Sequence, residues 1–330
     1  MNPFKLLAAG TLMLLASHAQ AAETVHIGYQ TAPDPSQVAI VDGEYEKATG
    51  SKIEWLKFDS GASVIAALAS GSIDIGYAGS SPLAAGVTRG APIKAFLVAG
   101  LIGKAEALVV RNGAGIEKPE DLVGKKVAVP FVSTTHYSLL FALKHWGIDA
   151  SKVNILNLQP PEIAAAFARG DIDATYVWDP AQASARKTGK VLITSEEVAK
   201  LGGPTFVAWI ARDDFTKAHP EVVTAFTKVT LDAFAKYRKD PAAYGPGTPE
   251  AKKIADFTGA KPEEVSEQVA GNYYPLIDEQ ASDALLGKGT AAAVAATSAF
   301  LLDQKKVEAL LPDYAPTATA EFVKAAATVN

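Results

Sequence analysis

The sequence predicts an α/β protein built as two similar lobes. Two observations carry this. Short apolar runs alternate with helical patterns, which is the signature of βαβ units. The same series of runs then occurs a second time, about one hundred residues further on.

The chain opens MNPFKLLAAGTLMLLASHAQA, with Lys5 and the amino terminus positive, an apolar run from Leu6 to Ala16, and small residues at Ala19 and Ala21. That pattern predicts a secretory signal peptide over residues 1–21, cleaved after Ala21. The run is too short for a membrane span, which needs about 20 residues. A soluble, exported protein is therefore expected. The sequence holds no cysteine, so no disulfide framework, thiolate metal site or lipid-bearing thiol is expected. Loss of the leader removes one lysine from 31 basic residues set against 36 acidic ones. A mildly acidic chain without basic clusters gives no electrostatic footprint for nucleic acid or an anionic membrane.

VHIGYQ from Val25 matches VAVPFV from Val127, and IEWLKFDSG from Ile53 matches VNILNLQPP from Val153. VIAALASGSIDIGYAGSSPLA from Val64 matches IAAAFARGDIDATYVWDPA from Ile163, sharing Gly71, Ile73, Asp74 and Tyr77 with Gly170, Ile172, Asp173 and Tyr176. Gly71 and Gly170 sit where C-terminal glycines end helices. Each repeat predicts a parallel sheet with crossover helices. The first lobe is expected over 22–111 together with 213–330, and the second over 112–212. The apolar segments Ala107–Val110 and Val207–Ala211 are expected as the two crossings. Beyond Asp213 the pattern turns helical, with Val222, Phe226, Val229 and Phe234 near one face, and this tail is expected to return to the first lobe.

Ligands of open parallel sheets sit beyond the carboxyl ends of the strands. Those ends carry Gln30, Asp59-Ser60-Gly61, Gly79-Ser80-Ser81, Ser133-Thr134-Thr135, Gln159-Pro160-Pro161 and Trp178-Asp179-Pro180, with no lysine or arginine among them. Ser81-Pro82 and Asp179-Pro180 have the form of a cap followed by proline in the first turn. Helix starts expose unpaired N–H groups and partial positive charge, so several aimed at one cleft can hold an anion without a counter-charge. The same hydroxyls can equally serve as caps alone, Trp178 can be core, and Glu106 can balance a ligand ammonium or lie on the surface. A hydrolase using Ser133 or Ser138 with His136 is the competing reading. It lacks a G-x-S-x-G elbow, and no histidine pair has H-x-x-x-H or H-E-x-x-H spacing.

PFVSTTHYSLLFALKHWGI, FDSGAS, AGSSPLA, EALVV and NLQPPEIAAAFARGDIDATYVWDPA together resemble the periplasmic taurine-binding proteins of ABC transporters, in the aliphatic sulfonate/nitrate/taurine solute-binding family. The resemblance runs from about residue 23 to 240 and weakens through the helical tail. It implies a type II periplasmic binding protein fold, with two α/β lobes hinged around a cleft. It implies a binding protein rather than an enzyme, without cofactor or metal, that closes on a small sulfonate and delivers it to a membrane permease driven by an ATPase, most simply as a monomer. Carried over by motif, the ligand contacts are Gln30, Ser60 or Gly61, Ser80, Ser133, Thr134, Thr135 and Trp178, with Glu106 for an amine. A same-fold receptor for nitrate or a pyrimidine precursor is the alternative. One departure stands out: where relatives are expected to read P-T-x-D-x-W, this chain has Val207 in Pro204-Thr205-Phe206-Val207-Ala208-Trp209, which implies a shift toward sulfonates without an amine.

Overall fold

The computed structural model describes residues 24–329, and the expected signal peptide lies outside the described residues. The strands are β1 (Thr24–Tyr29), β2 (Lys52–Lys57), β3 (Ile75–Gly79), β4 (Ile93–Ile102), β5 (Glu106–Arg111), β6 (Lys126–Val129), β7 (Asn154–Asn157), β8 (Ala174–Trp178), β9 (Gly189–Thr194), β10 (Phe206–Arg212) and β11 (Asn272–Tyr273). They form two mixed sheets, ordered β11-β4-β10-β3-β1-β2 and β7-β6-β8-β5-β9. The repeat read from the sequence is the matching set β1, β2, β3 and β6, β7, β8, in which β1 pairs in parallel with β2 and β3, as β6 does with β7 and β8. Gly71 and Gly170 close the helices Gly61–Ser70 and Pro160–Arg169 at φ 75° and 80°, the left-handed conformation that glycine adopts without penalty.

The expected crossings are placed differently. Ala107–Val110 is the middle of β5, antiparallel to both β8 and β9 inside the second sheet. Val207–Ala211 is the middle of β10, antiparallel to β3 and β4 inside the first. Both runs are almost wholly buried, as continuous apolar strands are when each face is covered. The chain passes between sheets at 103–105 and 201–205, just ahead of the runs. Each sheet is thus mixed rather than parallel, because each lobe receives its antiparallel strand from the chain just after it leaves the other lobe.

An arginine at the end of each exchanged strand fastens it to the repeat turn. Arg212 lies 3.4 Å from Asp74 and donates to Gly71 O at 3.0 Å; Arg111 lies 3.4 Å from Asp173 and donates to Ile172 O at 3.1 Å. The same aspartates accept from the strand beside them, Asp74 from His26 N and Asp173 from Lys126 N, both at 2.9 Å. The recurrent Gly-x-Ile-Asp is therefore a three-way junction of repeat turn, first strand and exchanged strand.

The tail returns to the first lobe. Helix Pro220–Lys239 buries Phe226 against Trp209, ring centroids 4.9 Å apart, and β11 adds to the edge of β4. It also reaches the second lobe through Arg186–Glu267 at 2.7 Å, Lys187–Glu264 at 3.0 Å and Lys144–Asp303 at 2.8 Å. Among the described residues no helix is long and apolar enough to cross a membrane.

Removing either junction carboxylate leaves an arginine and a strand N–H short of their acceptor. Asp74→Ala and Asp173→Ala are each expected to cost about 1–2 kcal/mol, read from denaturant midpoints. Asp171→Ala, whose carboxylate pairs only with the exposed Arg169 at 2.7 Å, is expected to cost within about 0.5 kcal/mol.

Candidate functional site

The carboxyl ends of β1, β3 and β8 face one cavity between the lobes. Three helices begin there. Helix Gly61–Ser70 is capped by Ser60, whose side chain accepts from Ser63 N; helix Ser80–Thr88 starts from Gly79; helix Thr134–His145 is capped by Ser133, whose Oγ accepts from His136 N at 3.0 Å. Gly61, Gly79, Ser133 and Thr134 line the cavity at these starts. The fit across the cleft is close, since a Cβ on Gly79 would lie 2.5 Å from Thr134 Cγ2, and so is the fit within the first lobe, where one on Gly61 would lie 2.7 Å from Pro82 Cγ. Glycine at these points lets helix N–H groups approach a small solute.

The cavity measures about 40 Å³, where one water needs roughly 10–15 Å³. It suits a compact solute a few waters in size. No lysine or arginine lines it, so negative charge there meets only helix ends and neutral donors.

Of the residues expected from sequence, Gln30, Gly61, Glu106, Ser133, Thr134 and Trp178 line the cavity. Gln30 is held by its Nε2, which donates to Tyr77 O at 3.0 Å. Ser60, Ser80 and Thr135 are buried one layer behind the wall. Ser60 serves as a cap, Ser80 Oγ accepts from Phe206 N at 3.4 Å, and Thr135 Oγ1 lies 2.7 Å from Ser133 Oγ. Ser133 Oγ donates to Pro130 O at 2.6 Å. Much of the hydroxyl cluster is thus committed to shaping the loop, and the first N–H groups of these helices have no helical carbonyl to bond.

Ser133 and His136 do not form a nucleophile and base. His136 Nδ1 accepts from Val132 N at 3.1 Å, and its ring stacks on Phe131 with centroids 4.6 Å apart. Burial, with Lys306 nearby, lowers its pKa to about 4, so the ring is a neutral acceptor that holds Val132 at its left-handed φ of 62°.

Carboxylates occupy other parts of the wall. Glu106 is 4% exposed and accepts from Thr134 Oγ1 at 2.5 Å and Ser195 Oγ at 3.3 Å. Burial pushes its pKa up to about 7, against those two hydrogen bonds. Asp179, which the sequence offered chiefly as a helix opening, also lines the cavity. It accepts from Ala183 N at 3.0 Å, and burial raises its pKa to about 7. Sequence reasoning did not single out Tyr77, Gln268 or Asn272, which line the cavity as well. Val207 lies opposite Gly79 in the β10–β3 register and presents carbon to the same space.

Residues 23–241 match the family described as the substrate binding domain of ABC-type glycine betaine transport system. The chain is 47% identical over 319 residues to the taurine-binding periplasmic protein of Escherichia coli (strain K12), covering 97% of this chain and 98% of that one. It is 33% identical to a putative aliphatic sulfonates-binding protein of Bacillus subtilis (strain 168), over 68% of each chain. Among solved structures, the alkanesulfonate-binding protein SsuA of Xanthomonas axonopodis pv. citri bound to MOPS superposes with a TM-score of 0.71 at 27% identity, covering 92% of this chain and 99% of that one. With two mixed α/β lobes around a cleft and relatives matched along nearly its whole length, the chain belongs to the periplasmic substrate-binding protein family of ABC transport systems.

Proposed function

We propose that this protein binds taurine or a closely related short aminoalkanesulfonate, after loss of residues 1–21, in the periplasm, and hands it unchanged to an ABC permease and its ATPase. It acts as a monomer that presents both closed lobes. The observation that carries this reading is the polarity of the cavity. Three helix starts open onto it from the two lobes with no lysine or arginine among the lining residues, while Glu106 is buried in its wall, beside the start at Thr134, with hydroxyl donors but no basic partner among the described residues. A solute with a negative head and a positive tail satisfies both features at once, because the helix ends favour the sulfonate and the ammonium supplies the charge that Glu106 lacks. The names of the relatives, one for taurine and others for aliphatic sulfonates, point the same way. Within the reading, the sulfonate meets the N–H groups around Gly61, Gly79 and Thr134, Trp178 covers the alkyl segment, and the lobes close by hinge motion on the bound solute.

Titration calorimetry with taurine, isethionate and ethanesulfonate tests this directly. Taurine is expected to bind tightest, against the shift that Val207 implies, because Glu106 supplies an acid in the cavity wall, and absence of binding by all three overturns the reading. Glu106→Gln removes the carboxylate charge while keeping the shape. It is expected to weaken taurine by about 1.5–3 kcal/mol, or roughly ten- to a hundredfold, with a much smaller change for ethanesulfonate.

The pH dependence follows from the raised pKa. Below about 7 Glu106 carries a proton and offers an ammonium no charge, so taurine binding releases a proton there. Taurine affinity is expected to rise from about pH 6 to about pH 8 and then level off, with ethanesulfonate showing no rise over that range, because ionised Glu106 and Asp179 only repel it, and the taurine slope reduced in Glu106→Gln. Calorimetry in two buffers of different ionisation enthalpy measures the proton released. Gly79→Ala probes closure: its methyl would press on Thr134, so every sulfonate is expected to weaken by about tenfold or more, with less compaction by small-angle scattering on saturation.

A further inference from the structure

The returning tail brings two carboxamides to the cavity. Asn272, on β11, pairs with Ile102 of β4, and both its Cβ and Val207 Cγ2 lie 3.5 Å from the point where a Gly100 Cβ would be. Asn272 and Val207 are therefore neighbours across β4, and Val207 supplies no polar group. Gln268 is 4% exposed, and its Nε2 points to Glu264 Oε2 at 3.4 Å. Gly271, between the two, is pressed onto the first crossing: its carbonyl accepts from Gly103 N at 3.2 Å and Ala105 N at 3.1 Å, and a Cβ there would stand 2.7 Å from Ala105 N. The backbone that carries both amides is thus fixed against the crossing segment.

Gln268 Oε1 and Asn272 Oδ1 are shielded from solvent and have no donor partner among the described residues, although both side chains line the cavity. The large majority of buried side-chain acceptors in native proteins are paired, and a solute in the cavity that both residues line would be a donor source for the two oxygens. Glu106 and Asp179 on the same wall are acceptors too when ionised.

We propose that Gln268 and Asn272 form a donor-reading subsite that selects sulfonates whose nitrogen carries N–H groups over fully methylated ones. The proposal rests on the sulfonate reading above and adds the feature by which the amine is judged. A quaternary ammonium keeps its charge, and hence its attraction to Glu106, but leaves both carboxamide oxygens unpaired, and a site built to hydrogen-bond a group rejects the analogue that lacks it.

The test is calorimetry with taurine, N-methyltaurine, N,N,N-trimethyltaurine and ethanesulfonate on the wild type and on the double variant Gln268→Met/Asn272→Leu. Wild type is expected to prefer taurine over the trimethyl compound by about a hundredfold, with N-methyltaurine close to taurine. In the double variant, taurine is expected to weaken at least about tenfold more than ethanesulfonate, and the preference over the trimethyl compound to collapse. Equal losses for taurine and ethanesulfonate, or an unchanged preference, would overturn the proposal and leave the sulfonate reading standing; no binding of any of the four by wild type would sink that reading instead. If the double variant does not fold, Asn272→Asp decides. That substitution retains an acceptor and adds a charge that attracts both cations alike, so the preference for taurine over the trimethyl compound is expected to persist; loss of that preference counts against the subsite.

Discussion

Each sheet depends on a strand supplied from beyond the crossing, and on the carboxylate that fastens it. β5 completes the second sheet and β10 the first, and without them the parallel core of each lobe would present an open edge at β8 or β3. Asp74 with Arg212, and Asp173 with Arg111, join the exchanged strand to the repeat turn while holding the neighbouring first strand. Because both crossings enter directly into these strands, the hinge is anchored on either side in a hydrogen-bonded ladder. The hinge closure proposed above would then turn about two short segments without loosening the strand ends beside the cavity.

That arrangement determines how the cleft treats charge. The helix starts at Gly61, Gly79 and Thr134 contribute unpaired N–H groups whose direction is set by the backbone and costs nothing to reorganise when a solute arrives. The hydroxyls around them mostly satisfy the loop: Ser60 and Ser133 cap, Thr134 donates to Glu106, and His136 props up Val132. On the sulfonate side, neutral donors also suit a carrier that must give up its cargo, since opening returns that group to water without separating it from a buried cation.

A good part of this was legible in the sequence. The three matched runs located β1, β2, β3 and β6, β7, β8, and the strand ends pointed to Gln30, Gly61, Ser133, Thr134 and Trp178. The exchange was not legible, because an apolar run such as Ala107–Val110 reads alike whether it crosses between lobes or enters a sheet, and its pairing partners lie far along the chain. Ser60, Ser80 and Thr135 show the limit for side chains: their position near a strand end could be read, but whether a hydroxyl faces the cleft or its own helix depends on the turn. Gln268 and Asn272 gave no signal, since they come from a five-residue helix and a two-residue strand with no periodicity and no counterpart in the repeat.

The absence of lysine and arginine from the cavity wall bears on competition from inorganic salts. A doubly charged oxyanion such as sulfate would bring its second negative charge next to Glu106 and Asp179, with only partial helix charges to offset it. On the proposed reading the cleft would penalise divalent mineral anions, so that an organic sulfonate could be taken from a medium in which they are abundant.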